Sequence, residues 1–307
     1  MNGKLILHRF GFELNEEPTS IYAFSPVYRV RIDKQDLIVK RTQRKVDSLL
    51  AYTSMLKKQE VNVVTPVPLK AKNPQQIDDT NFIVYPFIEG KLYSGKEEEI
   101  YEAGKFLGRI HQLSPNANVY ELPEYDVYDF NQEEVEESVS SIDKLAKAEG
   151  VLVECELLQG KLLESVQRQS DLQEAGLIHV ATPHDYKANN LIYTPEPYLI
   201  DPDNATWIPR IFDLALALLL FHNEHKDAPY RTFSPKEWRL FLSGYQTYVT
   251  LTDKEKSLWI HALEHVFLDE VMWLMAEVEE DWQNPAQKQL FISLLNLLYD
   301  SSGYKLD

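Results

Sequence analysis

The stretch that decides the fold is HVATPHDYKANNLIYTPEPYLIDPDNATW, residues His179–Trp207. Its centre is predicted to be a β-hairpin, because two apolar segments, NLIY and YLID, flank the Pro-containing turn TPEP. Asp185 and Asn190 lie on the loop that enters this hairpin, and Asp201 ends its second strand. Since a hairpin holds its two ends together, we expect Asn190 and Asp201 to lie about 4–5 Å apart across the strands.

These three side chains suggest a site for a cation and a phosphate. Magnesium prefers hard oxygen ligands from one or two carboxylates or amides, and phosphate oxygens complete its octahedron. We therefore predict Asn190 and Asp201 as magnesium ligands. Asp185, on the loop, would face the same point and accept a proton from a hydroxyl that attacks the phosphate. The alternative is a polar turn in which Asn190 only satisfies backbone groups.

The rest of the chain divides into a strand-rich part and a helical part. Alternating apolar residues predict strands at VYRVRI and LIVK, and longer apolar runs predict strands at NVVTPVPLKA (62–71) and NFIVYPFIEG (81–90). Helical spacing of apolar residues follows, at 42–58 and then at 96–114, 132–148, 151–170, 212–225, 235–248, 253–280 and 285–299. We predict an α+β protein with a small antiparallel-sheet lobe at 1–86, a larger mainly helical lobe at 87–307, and a crossover at YPFIEG.

The composition is that of a globular protein, with 44% hydrophobic residues and a formal net charge of −17. This charge argues against nucleic acid as a partner, which requires a basic face. Residues 1–70 carry 12 Lys/Arg and 7 Asp/Glu, whereas residues 71–307 carry 19 and 41. The division favours an anionic ligand in the first part and a cationic one in the second. An acidic surface that only keeps the protein soluble is the alternative.

Three features predict a cytoplasmic protein that is not bound to a membrane. The single cysteine, Cys155, excludes an internal disulfide and fits a reducing compartment. The first residues show only a brief apolar run before charges begin, so we expect no secretory signal. The longest apolar block, Ile211–Phe221, contains an aspartate and is too short to span a bilayer.

The motifs together resemble those of the protein-kinase-like superfamily, and more closely the small-molecule kinases related to aminoglycoside phosphotransferases and choline kinases. The usual forms in that group are H-x-D-x4-N, then I-D-[FW]-x-x-A, then D-x-A on a helix. This chain has PHDYKANN (183–190), LIDPDNA (199–205) and FDLALAL (212–218). The I-D-x-D-x-A form is most similar to bacterial spore-coat kinase-like proteins.

The resemblance implies a two-lobed protein-kinase-like fold and a role for each matching residue in the larger lobe. Asp185 matches the catalytic base, and Asn190 and Asp201 match the magnesium ligands. Lys187 matches a lysine that contacts the transferring phosphate. Asp213 matches the helix aspartate that braces the catalytic loop through hydrogen bonds.

In the smaller lobe the resemblance implies a nucleotide site. Lys40, which closes the strand LIVK, matches the lysine that contacts phosphate. Pro86 and Ile88 match the hinge, where the Pro86 carbonyl and the Ile88 amide would meet the adenine edge. The helix carboxylate that should pair with Lys40 stays open. Asp47 is on the matching helix and is the candidate, with a helix-surface charge as the alternative interpretation, and Glu60 lies beyond the helix end.

The chain departs from the family pattern at three places. Pro183 replaces the usual histidine, although His184 follows it, and Pro202 replaces the aromatic residue after the metal aspartate. The stretch YAFSPVYRV, where a phosphate-covering loop belongs, contains no glycine. Pro183, Pro202 and the missing glycines favour a non-catalytic structural or binding protein, such as a spore-coat component. The intact base and metal ligands favour an enzyme.

The enzyme hypothesis is an ATP- or GTP-dependent, magnesium-dependent phosphotransferase that acts on a hydroxyl of a small molecule. An aminoglycoside-like or choline-like cation is one option for the acceptor, and Glu279 and Asp281 in EVEEDW are candidates to hold it. A solvated helix face is the alternative for that segment, and HNEHKD (222–227) is predicted to be a solvated helix end. The oligomeric state stays open.

Overall fold

The computed structural model describes residues 2–22, 25–32, 34–42 and 45–307. The helices and strands of its first part are α1 (Gly3–Arg9), β1 (Val27–Ile32), β2 (Gln35–Thr42), α2 (Val46–Lys58), β3 (Gln75–Ile77) and β4 (Thr80–Pro86). The four strands form an antiparallel sheet in the order β1-β2-β4-β3. The predicted strands VYRVRI and LIVK are confirmed. Some residues of these segments lie outside the described residues: Asp33 between the two strands, Ala23 and Phe24 in the glycine-free stretch, and Gln43 and Arg44 at the start of the predicted helix 42–58.

The predicted strand at 62–71 is wrong. In this segment only Val63 forms an isolated bridge, to Leu199, and the fourth strand of the sheet is Gln75–Ile77 instead. Pro66 and Pro68 explain the error, because each proline removes a backbone donor that a ladder requires. The segment instead connects the two parts of the chain, since it also donates the Val64 amide to the Leu199 carbonyl at 3.0 Å.

The second part is mainly helical and begins after the crossover. Its elements are β5 (Lys91–Leu92), α3 (Glu97–Gln112), α4 (Gln132–Ala148), α5 (Cys155–Glu174), β6 (His179–Thr182), β7 (Leu191–Tyr193), β8 (Pro197–Leu199), β9 (Thr206–Pro209), α6 (Arg210–Leu220), α7 (Pro235–Tyr245), α8 (Asp253–Val266), α9 (Met272–Glu277), α10 (Glu279–Gln283) and α11 (Pro285–Tyr299). The α+β class and the two-lobed arrangement are confirmed. The division at residues 86 and 87 stays a prediction.

The structure corrects the sequence prediction at two further places. β6 and β9 form an antiparallel ladder that was not predicted, and the central hairpin lies between them in the chain. The predicted single helix at 253–280 is interrupted by a π-helical turn at Phe267–Val271 and ends where Val278 leaves helical geometry. Apolar periodicity does not reveal an inserted π turn, because the turn shifts the helix face by only one residue.

Close helix packing fixes α3 in the second part. A Cβ atom built on Gly104 would lie 1.9 Å from the Phe241 carbonyl oxygen, so only glycine allows α3 and α7 to approach this closely. The C-terminal turn of α3 carries His111, which the packing brings to Asp213. None of the helices in the described ranges is both long and apolar enough to cross a membrane.

Candidate active site

A cavity of about 730 Å³ lies between the two parts of the chain. Lys40 and residues 86–90 line it on one side, and Asp185, Asn190 and Asp201 line it on the other. The structure therefore brings together residues that the sequence separates by more than a hundred positions.

The loop that carries Asp185 has a strained backbone. His184 and Asp185 both adopt positive φ angles, of 50° and 42°. Such angles cost on the order of 1–3 kcal/mol for residues other than glycine, so surrounding contacts must maintain them. Asn190 supplies one contact, since its Nδ2 donates to the Asp185 carbonyl at 2.9 Å. Burial raises the pKa of the Asp185 carboxyl, although the charge of Lys187 opposes the rise. A raised pKa makes this carboxylate a stronger proton acceptor.

Lys187 lies beside the predicted base. Its Nζ is 3.3 Å from Asp185 Oδ1 and 2.9 Å from Glu224 Oε2. Burial alone would lower the pKa of Lys187, but the charges of Asp185 and Glu224 outweigh burial and raise it. Lys187 therefore stays ionised where a transferring phosphate is expected.

Glu224 was missed by the sequence analysis. The segment HNEHKD was predicted to be a solvated helix end, but His222, Asn223 and His225 are buried. The helix α6 has already ended at Leu220, and Glu224 lies in the following loop with a φ of 61°. No local pattern reveals this role, because it arises from the contact with Lys187 across 37 residues.

The hairpin register differs by one residue from the expected pairing of Asn190 with Asp201. The Ile200 amide donates to the Asn190 carbonyl at 2.9 Å, so Asn190 lies opposite Ile200 and Asp201 follows one residue later. Both side chains nevertheless line the same cavity. Within the described residues, no hydrogen bond occupies Asn190 Oδ1 or Asp201 Oδ2.

These two oxygen donors fit a magnesium ion. Magnesium is usually held by one or two protein ligands together with substrate phosphates and water. A cluster of three or more His, Cys, Asp or Glu residues that would form a cage made only of protein ligands is absent from the described part of the chain. The site therefore fits a cation that arrives with a nucleotide.

Lys40 pairs with two carboxylates of the segment LIDPDNA (199–205) and not with the predicted Asp47. Its Nζ lies 2.6 Å from Asp201 Oδ1 and 3.2 Å from Asp203 Oδ2. Asp47 is exposed in the first turn of α2, so the structure does not bring it to Lys40. Burial would lower the pKa of Lys40, but Asp203 and Asp201 outweigh burial and raise it.

Asp203 is a second residue that the sequence analysis did not assign. It is only 9% exposed, and burial raises the pKa of its carboxyl to about 6 against the opposing charge of Lys40. The I-D-x-D form of LIDPDNA was the available signal. Its second aspartate was used only as a subfamily marker.

The crossover segment follows the end of β4 and lines the cavity. The Phe87 amide donates to the Asp36 carbonyl at 3.0 Å. Because the carbonyl and the amide of one trans peptide point in opposite directions, the Pro86 carbonyl points away from β2. Pro86 and Ile88 also line the cavity. Their contact with an adenine ring stays a prediction.

Asp213 is fully buried and contacts β6, the strand that leads into the loop of Asp185. Its Oδ2 accepts a hydrogen bond from Thr182 Oγ1 at 2.9 Å, and His111 Nε2 lies 3.0 Å from the same atom. His111 in turn contacts the Tyr245 hydroxyl through Nδ1 at 2.9 Å. Asp213 therefore fixes the end of β6, immediately before Pro183, and not the loop residues themselves.

The π-helical turn places two more carboxylates near the loop that carries His184 and Asp185. Glu270 Oε1 lies 3.7 Å from His184 Nε2, and Asp269 Oδ2 accepts a hydrogen bond from the Tyr125 hydroxyl at 2.9 Å. Burial, followed by the charge of Glu270, raises the pKa of Asp269 to about 6. The sequence analysis missed both residues because it predicted an uninterrupted helix here.

The acidic segment 277–282 contributes no residue to the lining of the cavity. Burial raises the pKa of Asp281, and the charge of Glu224 is the next cause. Asp281 therefore lies within electrostatic reach of the residue that holds Lys187. Glu279 is exposed.

The small antiparallel sheet, the helical second part and the cleft between them define a protein-kinase-like fold. A model of the phosphotransferase enzyme family, APH, matches residues 22–246. The chain belongs to this family and is a phosphotransferase, that is, a kinase. The resemblance to the aminoglycoside phosphotransferase and choline kinase group is thereby confirmed, whereas the narrower likeness to spore-coat proteins stays a prediction.

Solved structures share the fold over nearly the whole chain. A spectinomycin phosphotransferase in complex with ADP and spectinomycin is 14% identical with a TM-score of 0.64, covering 98% of this chain and 97% of its own. A microcompartment-associated aminopropanol kinase is 12% identical with a TM-score of 0.67, covering 99% and 98%. A choline kinase from Streptococcus pneumoniae is 17% identical with a TM-score of 0.59, covering 96% and 98%. A comparison with curated proteins finds no match.

Proposed function

We propose that the chain transfers the γ-phosphate of ATP, with GTP as the alternative donor, to a hydroxyl of a small molecule in a magnesium-dependent reaction. The observation that carries this proposal is the shared cavity, in which Lys40, Asp185, Asn190 and Asp201 lie beside the hinge segment 86–90. ADP bound to the spectinomycin phosphotransferase is consistent with a nucleotide in this cavity.

Each residue then has a distinct task. Asn190 Oδ1 and the Asp201 carboxylate hold magnesium, which neutralises phosphate charge when bound. Lys40 contacts the nucleotide phosphates, and Lys187 contacts the phosphoryl group that moves. The acceptor oxygen forms a bond to the γ-phosphorus while the bond to the β–γ bridging oxygen breaks, and the hydroxyl proton passes to the Asp185 carboxylate.

The acceptor is proposed to be a cation. Glu224 lines the cavity, Asp281 lies within electrostatic reach of Glu224, and Asp269 and Glu270 lie near His184. Carboxylates that surround a partly closed cleft produce a negative potential that attracts cations. Spectinomycin, aminopropanol and choline are the substrates in the names of the similar kinases, and each is a hydroxyl compound that also carries nitrogen.

The test is an ATP-consumption screen of the purified protein against hydroxyl compounds, divided into cationic, neutral and anionic sets. Asp185→Asn is the matched variant, because it retains the shape but removes the proton acceptor. We expect magnesium-dependent turnover with at least one cationic compound and its loss in the variant. Mg-ATP binding without turnover on any compound would instead support the non-catalytic binding protein that Pro183 and Pro202 suggested.

The remaining parts of the proposal concern cellular context and domain organisation. We propose a cytoplasmic location, because the single cysteine fits a reducing compartment. A net charge of −17 supports a small-molecule partner rather than nucleic acid. We also propose that residues 1–86 act as the nucleotide-binding lobe and residues 87–307 as the catalytic and substrate-binding lobe.

A further inference from the structure

We propose that Asp203 is the carboxylate that positions Lys40 for nucleotide binding, in place of a carboxylate on helix α2. The proposal rests on the proposed function, since it concerns how the phosphate-contacting lysine is held. It assigns Asp203 a positioning role, exerted through Lys40, and not a contact with substrate.

The first step is that α2 does not supply the carboxylate. Asp47 is the only acidic residue within α2, and it is exposed in the first turn. Glu60 follows the helix with a φ of 62°, is exposed and lines a different cavity. Neither is an ion-pair partner of Lys40, whose partners among the described residues are Asp201 and Asp203.

The second step is that Asp201 cannot hold Lys40 once a metal is bound. Asp201 forms the shorter contact, at 2.6 Å, but it is also the proposed magnesium ligand. A divalent cation on this carboxylate repels the Lys40 ammonium, because like charges at such distances interact unfavourably. Asp203, at 3.2 Å, is then the carboxylate that remains for Lys40.

The third step is that Asp203 is itself firmly placed. It lies in a turn that the Ala205 amide closes on the Pro202 carbonyl at 3.1 Å, and the proline ring fixes φ at the start of that turn. Thr42, two residues beyond Lys40 on β2, lies near enough to the Asp203 carboxyl to oppose the rise of its pKa. The turn therefore presents the Asp203 carboxylate to Lys40 on β2, and Pro202 helps to form that turn.

The test compares Asp203→Asn with the rival variant Asp47→Asn, both in an Asp201→Asn background that removes the other carboxylate on Lys40, and it begins without nucleotide. Acylation of lysines by a small amine-reactive ester, followed by mass spectrometry, reports how freely each lysine is exposed. We expect Lys40 to label about tenfold faster in Asp203→Asn, the scale for losing one hydrogen bond between charged groups. Relative to Asp201→Asn alone, labelling should be nearly the same when Asp203→Glu is added and unchanged when Asp47→Asn is added. Faster labelling in Asp47→Asn alone would overturn the proposal.

A double-mutant cycle then separates positioning from metal ligation. Calorimetry should show Mg-ATP binding about tenfold weaker in Asp203→Asn. In a Lys40→Met background the same change should have no further effect, because the residue it positions is gone. A loss that persists in that background, together with a higher magnesium requirement, would make Asp203 a metal ligand and overturn the positioning role.

The labelling and the calorimetry together distinguish a failure of this proposal from a failure of the proposed function. If the wild type binds no Mg-ATP, the proposed function fails, whereas the labelling result still supports or overturns the pairing of Lys40 with Asp203. If Asp203→Asn does not fold, Asp203→Ser replaces it in both arms, because serine keeps the turn but removes the charge. Unchanged labelling in a folded Asp203 variant overturns the proposal.

Discussion

Asp269 is predicted to reduce the stability of the protein at neutral pH. Its carboxyl has a pKa of about 6 in the fold, compared with an ordinary value of 3.8, because burial and Glu270 disfavour the charged form. A raised pKa means that the folded state binds the proton more tightly than the unfolded chain. The protonated form therefore contributes stability that is fully present below about pH 4 and is lost as pH rises to about 6.

The size of the penalty follows from the two pKa values. A pKa of about 6 in place of 3.8 corresponds to about 3 kcal/mol once both states are ionised. Asp269 is partly exposed, so solvent screening reduces this figure to about 1–2 kcal/mol. Asp269→Asn removes the charge while retaining an oxygen that accepts from the Tyr125 hydroxyl. We expect the variant to be more stable than wild type by about 1–2 kcal/mol at pH 7.5 and nearly equal to it at pH 4.

Urea unfolding at pH 4.0, 5.0, 6.0 and 7.5 measures this difference directly. The matched control is Asp171→Asn on the exposed face of α5, which should change the free energy of unfolding by less than about 0.5 kcal/mol at every pH. A difference between Asp269→Asn and wild type that is independent of pH would refute the reasoning, as would a variant that is less stable at pH 7.5. If the acceptor is a cation, the Asp269→Asn enzyme should also bind it more weakly, because the variant removes a negative charge near His184.

Three further predictions concern the base, the metal and the helix packing. Asp185→Asn should lower the transfer rate by about 10²-fold or more while nucleotide affinity changes only a few-fold, as rapid-quench assays and calorimetry can measure; an unchanged rate excludes Asp185 as the base. Asp201→Ala should abolish the magnesium dependence of ATP binding in calorimetry while circular dichroism stays unchanged, and equal affinities with and without the side chain would contradict the assignment. Gly104→Ala should destabilise the fold by about 1–3 kcal/mol in urea unfolding, because the new methyl group meets the Phe241 carbonyl at 1.9 Å. The control Gly160→Ala has nothing within 4 Å of its methyl group and should stabilise α5 by about 0.5–1 kcal/mol. Equal effects of the two substitutions would disprove the packing argument.

The sequence could predict the parts of the site whose geometry is local. The loop, hairpin and helix that carry Asp185, Asn190, Asp201 and Asp213 lie within 29 positions of one another, and their order constrains how they fold. Alternating apolar residues likewise predicted the strand that places Lys40 on the wall of the cleft. Periodicity failed where proline removed ladder donors at 62–71 and where a π turn interrupted the long helix.

The two carboxylates that pair with Lys40, and the pairing of Lys187 with Glu224, could not be predicted, because these pairs join distant segments. The Lys40 contact with Asp201 spans 161 positions, and the family pattern directed attention to a nearer carboxylate on α2. Asp47 has the right helix and the right charge, yet its place in the first turn leaves it in solvent. A sequence pattern indicates which residue types a site needs. It does not show which of the many aspartates and glutamates of the chain lies at the site.

Contacts of neighbouring residues compensate for the two prolines that depart from the family motif. Pro183 stands in the position of the usual histidine, yet Asp185 still reaches the cavity, because Asn190 holds its carbonyl from within the loop. Pro202 stands in the position of the usual aromatic residue and begins the turn that presents Asp203 to Lys40. Both prolines therefore lie where another contact already fixes the backbone, and neither removes a residue that the proposed transfer requires.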